Sequence, residues 1–205
     1  MWLPRFTNDR RIASLAIVAL LAGGCAVGPG GSVRDGDIEV PAKALTLYEQ
    51  AVSSMAAGEM TDAELRFKEF LLSYPDFPGA HINLAIIYSG RDDDAAAETS
   101  LDEALRIDPA HAVALNQLGM LRRRQGRFLE AESAYLKAVT AAPDYALAHY
   151  NLGVLNDLYL QRLDAALEHY ERYQELAGED EQVGKWIVDL KRRIDAAQRT
   201  ANVTE

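Results

Sequence analysis

The chain has 205 residues, 21 Lys and Arg against 31 Asp and Glu for a formal charge of −10, and one cysteine. The length suits one domain or an extended array and excludes a large multidomain enzyme. The excess negative charge works against a grip on phosphate backbones and argues against nucleic acid as a partner, while a single cysteine supplies neither an internal disulfide nor a multi-thiolate metal site. Alanine is unusually abundant, which points to closely packed helices.

At the N-terminus, Arg5, Arg10 and Arg11 precede an uncharged apolar run, Ile12 to Gly24, that stops at Cys25. A basic segment, an apolar segment and small residues in that order make an export signal. A helix spanning the hydrocarbon core needs roughly 20 apolar residues, which this run falls well short of, so a retained membrane span is the poorer fit. Leu21-Ala22-Gly23-Gly24-Cys25 resembles the lipobox of bacterial lipoproteins, although that family places Leu three residues before the cysteine, where this chain has Ala22. The resemblance implies a signal peptide over 1–24, a diacylglyceryl group on the Cys25 sulfur, and no other cofactor. The same residues also fit a secreted protein cut near Gly24, or a signal anchor with a passive Cys25. By analogy with Gram-negative lipoproteins, Ala26 after the cysteine implies outer-membrane sorting with the body facing the periplasm. Removal of 1–24, which holds Arg5, Arg10, Arg11 and Asp9, leaves 18 basic and 30 acidic side chains, a formal charge of −12.

Residues 25–41 are expected to form a lipidated flexible tether, because Ala26 to Pro41 contains four Gly and two Pro and little to bury. After Pro41 a fixed period appears. Pro75, Pro109 and Pro143 recur at one constant interval, and Leu84-Ala85, Leu118-Gly119 and Leu152-Gly153 move with them. Ala63, Ala97 and Ala131 keep the same spacing, followed one helical turn later by Phe67, Leu101 and Tyr135, and then by Phe70, Ala104 and Ala138. A fourth copy carries one extra residue between Tyr159 and Gln161, which moves its equivalents to Ala166, Tyr170 and Tyr173.

This pattern resembles the tetratricopeptide repeat, whose period is about 34 residues, most fully in Leu115, Leu118, Gly119, Gly126, Ala131, Tyr135, Ala138 and Pro143. The resemblance implies an all-α solenoid of four helix-turn-helix repeats over 42–177, divided at about 44–77, 78–111, 112–145 and 146–177. In such a repeat Gly119 and Ala131 let two antiparallel helices touch, Tyr135 fills the gap toward the next hairpin, and each proline ends a second helix. Over 180–199, Val183, Trp186, Ile187, Leu190 and Ile194 share one helical face, which predicts a helix capping the last repeat.

No catalytic constellation is found, and the chain is read as a non-enzyme. His81 and His149 occupy equivalent packing positions, His111 follows a helix-ending proline, and no two of the four histidines have the i, i+4 spacing of a helical metal pair. Asp92-Asp93-Asp94 falls at a turn between helices, where acidic residues cap the second helix, so no metal is expected.

The tetratricopeptide resemblance implies a concave groove lined by the first helix of each repeat. Its rows are Tyr48, Val52 and Met55; Ile82, Ile86 and Ser89; Asn116, Met120 and Arg123; and Tyr150, Val154 and Asp157. Apolar residues on an outward face suggest a partner-binding patch. The alternative is that they pack against one another in a tightly wound array, or against Ile38 to Val40 folded back. Some family members hold a C-terminal carboxylate with Lys, Arg and Asn, a clamp that Asn116 and Arg123 alone do not make. An apolar groove suits an amphipathic helix or an extended peptide with aliphatic anchors, and no small-molecule substrate is implied. The family resemblance implies a protein-binding scaffold, either an assembly factor for an envelope machine such as a type IV or Flp pilus or its secretin, or an adaptor for cell-wall enzymes; self-association is the structural alternative.

Overall fold

The computed structural model describes residues 33–35 and 38–203. The expected signal segment and Cys25 lie outside the described residues.

The first described elements are two short strands, β1 (Val33–Asp35) and β2 (Ile38–Val40), paired antiparallel with Val33 opposite Val40 and Asp35 opposite Ile38. This corrects the expectation of a flexible coil throughout 25–41. Val33, Ile38 and Val40 are β-branched and flank Gly36-Asp37, a pair suited to a two-residue hairpin connection. Counting glycine and proline over the whole segment hides so short a pattern.

Pro41 leads into four helical hairpins. The first helices are α1 (Ala42–Ala56), α3 (Pro78–Ser89), α5 (Ala112–Arg124) and α7 (Ala146–Leu155). The second helices are α2 (Met60–Ser73), α4 (Asp94–Ile107), α6 (Phe128–Ala141) and α8 (Leu163–Ala177). The last helix, α9 (Glu181–Val203), follows as the cap. Each first helix packs on its own second helix, and each second helix packs on the first helix of the next repeat, which makes a solenoid.

Sequence explains where these helices stop. Tyr74, Asp108 and Ala142, each just before a repeat proline, leave helical geometry with φ of −131°, −130° and −138°, as the proline ring requires of the residue before it. Pro78 opens α3, Asp93 caps α4 by accepting a hydrogen bond from the Ala96 N–H at 3.1 Å, and His111 caps α5 through Nδ1. Gly58, Asp92, Gly126 and Gln161 have φ of 82°, 60°, 76° and 54°, so a left-handed residue recurs in every turn between paired helices. Two of the four are glycine, for which this conformation carries no steric cost.

The extra residue of the fourth copy is absorbed by a π-helical turn, Asn156–Leu160, between α7 and Gln161. Its register is held by Arg162 N–H donating to the Asn156 carbonyl at 2.9 Å and by Asn156 Nδ2 donating to the Leu152 carbonyl at 2.9 Å. The insertion thus widens one helical turn and leaves the alignment of α8 with α2, α4 and α6 intact.

The core repeats with the chain. Ala63, Ala97, Ala131 and Ala166 are fully buried, and Phe67, Leu101, Tyr135 and Tyr170 are buried one turn later. A Cβ on Gly119 would stand 2.4 Å from the Tyr135 ring, and one on Gly153 would stand 2.4 Å from the Tyr170 ring. Tyr135 therefore fills the space left by Gly119 within its own hairpin, and reaches Leu152 and Leu155 of the next repeat as well. The cap closes the array by burying Val183, Ile187 and Leu190 against Val154, Ala166 and Tyr170. Asp180 starts it by accepting hydrogen bonds from the N–H groups of Gln182 and Val183.

Gly153→Ala tests the close approach. Alanine favours the helix by about 1 kcal/mol, but crowding a buried ring costs about 1–3 kcal/mol, so the variant should be less stable in urea unfolding than the parent.

Candidate partner-binding groove

The first helices of the second, third and fourth repeats touch along one side, so the rows proposed from sequence come together in space. That contact also buries much of them. Met55, Ile82, Asn116 and Val154 are buried, with Ile82 at 0 % exposure. These four are corrected from groove surface to inter-helix packing. Ile82 lies in a cluster with Ala85, Ala97, Leu101 and Ala114, whose small side chains let neighbouring helices close over it.

The two ends of the row are held by rings. Tyr48 packs against Phe67, Phe70 and Phe77 with centroids 5.1–5.6 Å away. Tyr150 lies 5.3 Å from Tyr173 and 6.2 Å from Trp186 of the cap. Asp157 is ion-paired with Arg193 of α9 at 2.7 Å. Among the row residues, Val52, Ile86, Ser89, Met120 and Arg123 remain half-buried along the middle of the array. Arg123 has no ion pair among the described residues, and its guanidinium sits 5.8 Å from the Tyr159 ring centre. The strip thus offers aliphatic contact beside one cation.

Sequence spacing missed two sets of inter-repeat contacts. Asn83 Nδ2 donates to the Tyr48 hydroxyl at 3.1 Å, and Asn151 Nδ2 donates to Asn116 Oδ1 at 2.9 Å, each joining a first helix to the one before it. Asn116 and Asn151 are 35 residues apart, one more than the period, because the bond runs between adjacent rows of two helices. The second set is periodic in sequence: Glu64, Glu98 and Glu132 recur at the repeat interval. Glu64 accepts from Tyr88 and Arg91, Glu98 from Arg122 and Arg127, and Glu132 from Arg162, always in the following repeat. The hydrogen bond from Lys68, aided by those from Arg91 and Tyr88, holds the Glu64 carboxyl down at about 2.

Other candidates resolve locally. His81 and His149 contact the carbonyls of Pro75 and Pro143 through Nε2 at 2.7 and 3.2 Å, which ties each first helix to the end of the preceding repeat. His149 Nδ1 also lies 3.2 Å from His169 Nδ1. Burial, followed by the neighbouring His149, pushes the His169 imidazole below its ordinary value. Among the described residues no group of three or more His, Cys, Asp or Glu side chains could hold a metal ion, and no helix is long and apolar enough to cross a membrane. The most exposed large apolar side chains stand on second helices and the cap: Leu72 is 85 % exposed, and Leu65, Leu129 and Val188 are also exposed.

The buried amide pair gives a test. Asn151→Leu leaves the Asn116 carbonyl oxygen buried without its donor, which costs about 1–3 kcal/mol, whereas replacing Asn116 by Leu as well should recover most of that loss. Urea unfolding of Asn116→Leu, Asn151→Leu and the double variant measures the coupling.

Two family models described as tetratricopeptide repeat match residues 48–112 and 111–179. Among solved structures, Pseudomonas aeruginosa PilF superposes with a TM-score of 0.67 at 24 % identity, covering 77 % of this chain and 72 % of that one. MamA from Desulfovibrio magneticus RS-1 does so with a TM-score of 0.63 at 22 % identity, covering 82 % and 91 %. These identities support a common fold. A probable UDP-N-acetylglucosamine–peptide N-acetylglucosaminyltransferase SPINDLY from Eustoma exaltatum subsp. russellianum is 37 % identical over 97 residues, 47 % of this chain but 10 % of that protein. The chain thus spans about a tenth of that curated relative, and the likeness carries no transferase chemistry with it. Repeat period, hairpin packing and the two family matches agree that this chain belongs to the tetratricopeptide-repeat family, as an all-α solenoid of protein-binding repeats.

Proposed function

We propose that this chain is a lipid-anchored scaffold facing the periplasm, held at the outer membrane through Cys25, which binds another protein during assembly of an envelope machine such as a type IV or Flp pilus or its secretin. The observation that carries the reading is a conjunction: a lone cysteine directly after the apolar run Ile12 to Gly24, followed by a repeat array with a half-buried aliphatic strip. The fold shared with Pseudomonas aeruginosa PilF is in keeping with it. Tetratricopeptide repeats serve as interaction scaffolds, and the groove is the part of this one that differs from a merely stacked array.

The strip of Val52, Ile86 and Met120 supplies aliphatic contact, and Arg123 supplies a donor for an acidic group at one end. The partner is accordingly a helix or extended segment with aliphatic anchors and a nearby carboxylate. Confinement at a membrane raises the effective concentration of such a partner, so modest intrinsic affinity is enough.

Exposed Leu65 and Leu72, two turns apart on one face of α2, favour a second reading in which copies of the chain associate through their outer helices. One experiment separates the readings: chemical crosslinking in intact cells, followed by recovery of the chain from membrane fractions. The parent should remain with membranes and carry an adduct of a different protein, Ile86→Lys with Met120→Lys should lose that adduct while keeping its helical circular dichroism, and Cys25→Ser should leave the membrane fraction. Adducts only at multiples of the chain's own mass would overturn the groove in favour of self-association, and membrane retention of Cys25→Ser would overturn the anchor.

A further inference from the structure

Where α6 ends against α7 and α8, a cavity of about 530 Å³ is lined in part by Val139, Pro143, His149, Asp164, Glu168 and His169. His149 stands on α7 and His169 on α8, the two helices of the last hairpin. Both imidazoles are half-buried, and their Nδ1 atoms are 3.2 Å apart, so a hydrogen bond between the rings joins the two helices. We propose that this imidazole pair is a proton-operated latch, which holds the fourth hairpin closed at neutral pH and releases it in mild acid, when both rings become charged.

Hydrogen-bonding capacity places the protons. His149 Nε2 is 3.2 Å from the Pro143 carbonyl, an acceptor only, so Nε2 carries the proton and Nδ1 presents its lone pair. His169 Nδ1 is then the donor, which leaves His169 Nε2 to take up the next proton. That first protonation keeps the link, because a charged ring still donates from Nδ1. The second proton enters at His149 Nδ1 and sets two N–H groups and two positive charges against each other across the same contact. Neither nitrogen then accepts, and α7 and α8 lose their bond at this point.

The charges facing the pair set how much acid this takes. On α8, Asp164, Glu168, Glu171 and Glu175 favour charged rings and Arg172 opposes them. Arg172 is paired with Glu175 at 2.8 Å, and Lys191 of α9 with Glu171 at 2.7 Å. The lining contributed by α6 and the turn after it, Val139 and Pro143, does not titrate. Burial, and next the neighbouring His149, outweigh Glu168 and push the His169 imidazole below its ordinary value. The folded chain therefore resists a proton that the unfolded chain accepts. Stability from the pair is fully present above about pH 6.5 and is lost as the pH falls from there toward the folded value.

The cavity beside Asp164 and Glu168 gives a released His169 ring room to turn. Its neighbour Tyr170 packs with Val183, Ile187 and Leu190, so loosening of α8 reaches the cap. Repeat 2 provides an internal control. His81 makes the same contact with a repeat-proline carbonyl, but the place corresponding to His169 is held by Ser100, which donates to the Ala96 carbonyl. That hairpin has no second imidazole to repel the first.

The test is hydrogen exchange of the full chain, corrected for the intrinsic pH dependence of amide exchange and read separately over α8 and over α4 of repeat 2. Each pH unit over which the open hairpin binds one more proton than the closed one multiplies the opening constant by about ten. Exchange across α8 in the parent should thus rise about tenfold from about pH 6.5 to about pH 5.5, a range in which carboxylates stay ionised, while α4 stays level. His169→Gln keeps a donor toward His149 without titrating, and should hold α8 at its slow neutral-pH exchange throughout. His169→Phe removes the link, and should give faster exchange that no longer depends on pH; His81→Asn should behave as the parent. Should His169→Phe fail to fold, His169→Gln still decides. No rise in the parent, an equal rise in α4, or a rise undiminished in His169→Gln would overturn the latch.

Discussion

Where Gly119 and Gly153 lack a side chain, the rings of Tyr135 and Tyr170 occupy the space, and an added Cβ would meet either ring at 2.4 Å. Paired helices can close to the distance at which a tyrosine is wholly buried between them only because that room exists. In the first two repeats Ala51 and Ala85 stand at the equivalent positions, and Phe67 and Leu101 take the place of tyrosine. The hairpin alone cannot hide what it gathers. Tyr135 is completed by Leu152 and Leu155 of the following repeat, and the last exposed face by Val183, Ile187 and Leu190 of α9. Hairpin closure, stacking and capping are consequences of one spacing constraint.

That constraint also shapes the surface available for recognition. Neighbouring first helices approach closely enough to bury Ile82 and Asn116, so the inner row is a seam between repeats along part of its length. Asn83 with Tyr48 and Asn151 with Asn116 fix the register of that seam, while the glutamates at 64, 98 and 132 fix it again through the next repeat. What remains accessible is narrow: Val52, Ile86, Met120 and the arginine at 123. A narrow apolar strip with one cation fits recognition in which a few anchors carry most of the energy.

The constant repeat interval made the architecture legible, because proline, alanine and aromatic positions each answer to a separate requirement of the helical hairpin and all move together. The extra residue of the fourth copy was equally legible as an insertion, but its form as a π-helical turn depends on hydrogen bonding around Asn156 that no spacing rule contains. Burial of the groove residues was not legible. A helical wheel assigns Ile82 to a face, whereas its exposure depends on how near α5 comes, and that follows from small side chains at Ala85, Ala97 and Ala114 scattered over three helices. The contact between His149 and His169 was hidden for a related reason: the two stand 20 residues apart on antiparallel helices, where single-helix spacing has no bearing. The strands at 33–35 and 38–40 were obscured by the glycines and prolines around them, although Val33, Ile38 and Val40 bracket a turn-forming pair.

The central functional claim is that recognition occurs on the inner strip and not on the outer helices. Site-specific photocrosslinking in intact cells measures this directly, with the photoreactive side chain placed at Met120 in one sample and at Leu72, which is 85 % exposed on α2, in another. The account predicts a discrete heteromeric adduct from position 120 and none from position 72. A partner captured from position 72 alone would contradict it.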